Sequence, residues 1–302
     1  MTLPQGLASR LQWIDPDVAL VPATARWPSA HGLLLRDGTQ WTLVDAGGDR
    51  DLLEALAPHV GRVILSHYHL DHVLHNDLFP LSKVWANAAD LQGYRSAQDY
   101  FAWSGAPQIP GERMRDFAHD RYRWLPDVRE TFRPGDTLET TATRWRFVPV
   151  PGHSPGHVAL YEPDRQYLHG VDVEFSGLGP WYGWNHCDAD QFEAGVASLL
   201  KLPRRVVTTG HSPLIRGDGE KELRGFHDAF RDRDEQVVAF VASRKRATLD
   251  EIVEGVRIFY GRTLDKSPWL RPWCATMTRQ HLSRLERARR VVRDGEDGWA
   301  SV

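Results

Sequence analysis

Three imidazoles and a carboxylate occupy the six positions from 67 to 72 of this 302-residue chain, in Ser66-His67-Tyr68-His69-Leu70-Asp71-His72, directly after the apolar run Val63-Ile64-Leu65. Imidazole nitrogen and carboxylate oxygen are donors that zinc, iron and manganese accept. A loop leaving a strand turns alternate side chains toward one point. Histidines merely decorating a polar loop are the bland alternative, and further candidate donors downstream count against it. They stand in Pro151-Gly152-His153-Ser154-Pro155-Gly156-His157, in His169-Gly170-Val171-Asp172 and in Thr209-Gly210-His211, each placed where a strand-like run ends. Gly152 and Gly210 let the backbone turn tightly just before a histidine and leave room beside it.

In this order the motifs resemble the metallo-β-lactamase superfamily, in which an HxHxDH motif is followed by a His, a bridging Asp and a last His. The resemblance covers roughly residues 15–215 and implies an α/β fold, the αββα sandwich. It implies that His67, His69 and His153 hold one metal, that Asp71, His72 and His211 hold a second, and that Asp172 bridges both. Two zinc ions are the expectation, with iron or manganese as alternatives. Water held between such ions loses its proton near neutral pH, its pKa falling from 15.7 toward roughly 7. The implied activity is therefore hydrolysis of a small-molecule ester, lactone, thioester or phosphodiester by a metal-bridging hydroxide. Asp71 is also a candidate catalytic residue that returns a proton to the leaving group. Asp45 reads either as a buried carboxylate gripping a ligand histidine by its other ring nitrogen or as a turn carboxylate before Gly47-Gly48. His157, four residues after His153, supports the ligands or the fold without touching metal.

Three other activities occur on this scaffold: hydrolytic dehalogenation of an aromatic compound, RNA cleavage, and persulfide oxidation at a single iron. The complete second donor set argues against a one-metal site, and a bridging Asp argues against antibiotic cleavage. Cys187, beside His186, reads as a small buried thiol in preference to a nucleophile.

The elements that must position these residues are legible in outline. A β-meander opens the chain, with an Asp37-Gly38 hairpin signal, and a helix from Asp51 closed by Pro58 precedes the strand that delivers the HxHxDH loop. Later strands are expected at 83–85, 145–148, 158–161 and 206–208, and a helix at about 188–202. Residues 91–135 carry no evident strand signal. Their aromatics and arginines, among them Tyr94, Tyr100, Phe101, Trp103, Arg113, Arg115, Phe117, Tyr122 and Trp124, suit a lid or a helical pair equally. The loop Phe175–Trp184 is a candidate pocket wall or a docking surface.

From about 225 the pattern changes to helical spacing at Phe226, Phe230, Val237 and Val241, an N-capped helix after Thr248, a helix through Thr278–Glu286, and a terminal hairpin. This predicts a small winged-helix-like domain over 225–302 after a catalytic domain over 1–224. The tail carries 15 basic against 12 acidic residues, while the whole chain has net charge −3. That balance disfavours a nucleic-acid partner, and charge reversal at Arg284 and Arg287 is expected to matter little. Composition is that of an ordinary soluble protein, 41% hydrophobic and 25% charged. Two cysteines, no signal-like N-terminus and no run of eighteen apolar residues suit a cytoplasmic protein without a membrane span. Oligomeric state is open, a dimer included.

Overall fold

The computed structural model describes residues 3–25, 29–80, 83–105, 125, 128, 130–266 and 270–302. Its first sheet runs in chain order through β1 (Gln12–Asp15), β2 (Val18–Val21), β3 (Gly32–Asp37), β4 (Gln40–Val44), β5 (Val60–Leu65), β6 (Val84–Asn87) and β7 (Glu130–Phe132). Pairing is antiparallel up to β4 and parallel beyond it. The second sheet comprises β8 (Thr137–Glu139), β9 (Arg144–Pro149), β10 (Val158–Glu162), β11 (Tyr167–His169), β12 (Val206–Thr208) and β13 (Ile215–Arg216), adjacent in that order, with only β11 and β12 parallel.

Alternation along the strands explains why two layers of sheet need two layers of helix. Val18 and Leu20, Leu33 and Leu35, and Val158 and Leu160 point into the core between the sheets. Their neighbours Ala19 and Val21, Leu34, and Ala159 and Tyr161 point the other way, into a second core. Both faces of such strands are apolar, so an uncovered face would leave several large side chains in water at about 1.5–3 kcal/mol each. Helix α2 (Arg50–Leu56), with Leu52, Leu53 and Leu56 inward, and helix α6 (Ala189–Leu199), with Phe192, Val196 and Leu199 inward, provide that cover. The result is the αββα sandwich. Shorter helices α1 (Gln5–Ala8), α3 (Leu70–Val73), α4 (Leu91–Arg95) and α5 (Ala97–Ser104) fill the connections.

Within 91–135 the structure adds a strand where the sequence shows no signal: β7 pairs in parallel with β6 at its far edge. Three residues are too few for a visible period of two. Tyr94, Tyr100 and Phe101 are buried on α4 and α5, while Arg113, Arg115, Phe117, Tyr122 and Trp124 lie outside the described residues.

The C-terminal region is helical with a small sheet: α7 (Glu220–Arg244), β14 (Arg246–Thr248), α8 (Leu249–Val256), α9 (Thr263–Lys266), α10 (Arg271–Arg287), β15 (Val291–Asp294) and β16 (Gly298–Ser301), the strands ordered β14-β16-β15. Thr248 and Glu251 form a reciprocal capping box at the start of α8. Residue 224 falls inside α7, which docks Phe226 and Phe230 against Phe192 of α6 with ring centroids 5.8 and 5.7 Å apart. Arg284 is not solvated charge. Only 16% exposed, it pairs with Asp190 (3.1 Å) and Glu193 of α6 and with Asp234 of α7, and Arg287 pairs with Asp190. The expectation that reversing Arg284 matters little is therefore corrected: the charge serves to join α10 to the sandwich. Among the described residues, no helix is long and apolar enough to cross a membrane.

Candidate metal centre

All seven candidate donors gather where strands end. β5 delivers His67 and His69, and the one-turn helix α3 that follows carries Asp71 and His72. The loops after β9, β11 and β12 carry His153, Asp172 and His211. They form two groups, His67, His69, His153 and Asp172 in one and Asp71, His72 and His211 in the other, with donor atoms within 4.8 Å of one another inside each. Asp172 faces both. Its Oδ2 lies 2.8 Å from His153 Nε2 and 3.8 Å from His67 Nε2, while its Oδ1 lies 2.7 Å from His72 Nε2 and 3.4 Å from His211 Nε2. Asp71 Oδ2 is 3.2 Å from His211 Nε2.

The far ring nitrogens are held by the scaffold. Asp45, fully buried, accepts from His72 Nδ1 at 2.8 Å, from Ser66 N at 2.8 Å and from Ser66 Oγ at 2.6 Å, so of its two readings the carboxylate that grips a histidine is the observed one. His67 Nδ1 lies 3.1 Å from Ser66 Oγ. His153 donates from Nδ1 to Trp181 O at 2.8 Å. His157 donates from Nδ1 to Val150 O at 2.9 Å and accepts Asp172 N at 3.3 Å, which makes it a brace for the Asp172 backbone. Such outer contacts fix tautomer and ring direction.

Backbone conformations at the centre are specialised. Gly152 has φ +113°, and a Cβ there would stand 2.2 Å from Asp188 O, so both conformation and space exclude a side chain. At Gly210 the expected room is what the structure uses: a Cβ would meet His72 Cε1 at 2.8 Å, so its bareness admits the His72 ring. Val171, next to Asp172, is β-branched yet has φ +56°, a strain of roughly 1–3 kcal/mol. Its complete burial and the 2.8 Å bond from Gly210 N to its carbonyl hold it there.

The electrostatics call for positive charge. Burial pulls His72 and His211 down, but the carboxylates win: Asp172 and Asp45 raise His72 well above the usual histidine value, and Asp172 with Asp71 raises His211 to about 10. Burial would raise Asp172, yet His72, His153 and His211 hold it well below the usual carboxylate range. His67 and His69 are pushed well below their ordinary value by burial and then by neighbouring rings. Either protons on His72 and His211 or cations must balance the two acids. Nε2 of His67, His69, His72 and His153 and Oδ1 of Asp172 are buried and have no partner beyond the His–Asp ionic contacts within this cluster. Buried imidazole nitrogens gathered on both sides of one carboxylate, with no outside hydrogen-bond partner, fit metal ions, whereas a hydrogen-bonded structural cluster would have paired them.

Sequence reasoning missed Asp90. Fully buried, it accepts Ser154 Oγ and Gly156 N, each at 2.7 Å, and a backbone donor of Tyr68, and so ties the His153 loop to the His67–His69 loop. Burial raises its carboxyl to about 6. Nothing in Ala88-Ala89-Asp90 signals this. His169 bonds Thr208 Oγ1 at 3.0 Å, and His186 contacts Tyr68 OH at 2.9 Å while stacking on Trp103. Cys187 is buried, donates to His153 O at 3.0 Å, and has its thiol pushed up by burial. In the Phe175–Trp184 loop, Trp181 faces the rings of His69 and His153 at 5.5 and 5.7 Å and also meets Trp273 of α10 at 5.7 Å, so it contributes to both the wall and the docking.

An αββα sandwich with a His- and Asp-rich centre at its strand ends is the class of protein that these features define. The chain belongs to the metallo-beta-lactamase superfamily, whose family model matches residues 26–222. It is 28% identical over 172 residues to a hydroxyacylglutathione hydrolase of Cereibacter sphaeroides, a match covering 55% of this chain and 54% of the relative. The chain thus spans about half the length of that curated relative. Its fold is similar to that of the metallo-beta-lactamase family protein TTHA1429 of Thermus thermophilus, at TM-score 0.76 and 21% identity, over 96% of this chain and 100% of the other. A second solved structure, TTHA1623 in a di-iron-bound form, is 25% identical at TM-score 0.50, over 66% of this chain and 96% of that one.

Proposed function

We propose that the protein is a metal-dependent hydrolase with two divalent cations, one held by His67, His69 and His153, the other by Asp71, His72 and His211, with Asp172 between them. The observation that carries this reading is the gathering of buried imidazole nitrogens into two groups on either side of Asp172, whose two oxygens face different histidine groups. Cations bound there would supply a nucleophile by lowering the pKa of water from 15.7 to about 7, and would polarise the bond under attack. Asp71, ionised because its contact with His211 and the charge of His72 outweigh its burial, would orient the attacking water, accept the proton that water loses and return it to the leaving group. Trp181, partly exposed beside His69 and backed by the buried Trp184, would give a substrate an apolar surface.

Zinc is the cation proposed first, with iron the alternative that the di-iron neighbour suggests. Thioesters of small molecules are the first substrates to test, given the name of the curated relative, followed by lactones, esters and phosphodiesters. Residues 225–302 act as a winged-helix-like domain joined to a catalytic domain of 1–224, and serve the small-molecule site instead of nucleic acid. Arg284 and Arg287 of α10 are occupied in ion pairs with α6 and α7, which supports that part. The test is metal content and turnover of the purified chain and its Asp172→Ala variant. Two ions per chain and thioester cleavage are expected in the parent, with loss of at least one ion and of turnover in the variant. One ion per chain after zinc addition, or unchanged occupancy in the variant, overturns the dinuclear reading.

A further inference from the structure

The acceptor that orients His153 is not fastened by the sheets alone. Trp181 O takes the His153 Nδ1–H at 2.8 Å, and Trp181 sits in a segment gripped by the C-terminal helices on either side. Arg233 of α7 donates to Pro180 O, to Tyr182 Oη at 2.9 Å and to Leu178 O at 2.9 Å. The Trp181 indole donates to Tyr260 Oη at 2.8 Å. Gln280 of α10 donates to Tyr182 O at 3.2 Å. Arg233 is 4% exposed, and these three acceptors are neutral oxygens. A guanidinium buried among neutral groups carries a large desolvation cost, offset here by the three bonds and by the faces of Tyr182 and Phe259 at 5.5 and 5.6 Å. An apolar side chain of similar length would pack without that cost, but it would leave Leu178 O and Pro180 O without this donor.

We propose that Arg233 and Tyr260 are positioning residues for the metal centre. By pinning Leu178–Tyr182 they keep the Trp181 carbonyl where it takes the proton of His153 Nδ1, which leaves Nε2 as the lone pair offered to a cation. The C-terminal helices are thereby part of the metal site without supplying a ligand. The proposal rests on the reading of His153 as a ligand. It differs from a purely structural role, in which losing these bonds lowers stability and leaves metal affinity alone.

The experiment uses full-length protein and four variants: Arg233→Met, Tyr260→Phe, His153→Ala, and Arg290→Ala as a control that removes only the exposed C-terminal pair with Glu235. Zinc is titrated against a chromophoric chelator to give occupancy and Kd for each ion. Long-range proton–nitrogen correlation on the zinc-free proteins reports the His153 tautomer, and circular dichroism reports folding. His153→Ala should lose one ion. Arg233→Met should weaken that ion by about 10- to 100-fold, as outer-contact losses do, and Tyr260→Phe by about three- to tenfold, each with the His153 proton no longer confined to Nδ1. Arg290→Ala should match the parent. If His153→Ala keeps both ions at parental affinity, the ligand reading fails and the proposal with it. If His153→Ala loses an ion while Arg233→Met and Tyr260→Phe bind zinc as the parent does with the Nδ1–H tautomer intact, the positioning claim alone is overturned. Should Arg233→Met fail to fold, Tyr260→Phe decides by the same two readouts.

Discussion

Asp90 offers the sharpest test of how the loops around the centre are held. Its carboxyl is buried, accepts Ser154 Oγ and Gly156 N, and has its pKa raised from the ordinary aspartate value to about 6 because desolvation outweighs those bonds. The folded chain therefore binds this proton more tightly than the unfolded chain does. The stabilisation is complete below the unfolded value near 4, shrinks as pH rises through 6, and is gone above it. At about 1.36 kcal/mol per tenfold change in proton affinity, the whole difference is about 3 kcal/mol, of which about 2 kcal/mol separates pH 4.5 from pH 7.5. Asp90→Asn removes the titration and keeps an oxygen for Gly156 N, while its amide can donate to Ser154 Oγ. Denaturant unfolding of parent and variant, both with excess chelator so that metal linkage cancels, should show the variant gaining about 2 kcal/mol on the parent between pH 4.5 and 7.5. A parent–variant difference constant to within about 0.5 kcal/mol, an ordinary extrapolation error, would falsify the desolvation argument.

Further outcomes follow from the same geometry. Arg284→Glu should cost about 3 kcal/mol or more in unfolding free energy, since it faces a new acid with Glu193, Asp190 and Asp234 at a half-buried joint; an unchanged unfolding curve would return this residue to the solvated surface. Cys187→Ala should keep zinc content and turnover and lose about 1 kcal/mol of stability with the thiol contact to His153 O; loss of turnover at intact metal content would point to a thiol nucleophile. Because Asp172, Asp45 and Asp71 raise His72 and His211, cations must displace protons there, so zinc should bind at least about tenfold tighter at pH 8 than at pH 6; a flat profile in competition titrations would contradict the assignment of those two residues.

The candidate donors are legible in the sequence because metal chemistry restricts residue type and because they follow strand-like runs, with the local signature of a glycine directly before the histidine at His153 and His211. Gly152 shows that signature at full strength, its φ and its surroundings both excluding a side chain. The layered fold is legible for a similar reason, since strands such as Val18–Val21 are apolar on both faces. β7 is not, being three residues long and defined by its partner β6. Asp90 is not, because its donors arrive from Tyr68, Ser154 and Gly156, and a lone aspartate before a helix reads as an ordinary turn residue. Arg284 is misread on composition: a charge census of 225–302 cannot see that the matching acids Asp190 and Glu193 belong to another part of the chain.

What the ring contacts add is the origin of the centre's geometry. A histidine presents Nε2 in a fixed direction only if Nδ1 is also engaged, and here each engagement comes from a different part of the molecule. His72 is held by Asp45 at the end of β4, from the first sheet. His157, bound to Val150 O, holds the Asp172 backbone from the second sheet. His153 is held by Trp181 O, in a segment that α7 and Tyr260 pin. The relative placement of the donors is thus set by how the two sheets and the C-terminal helices pack together, and a change at the α6–α10 joint can reach the centre without touching a donor. Stability and metal affinity should accordingly be coupled for substitutions at Arg233, and uncoupled for those at the exposed Arg290–Glu235 pair.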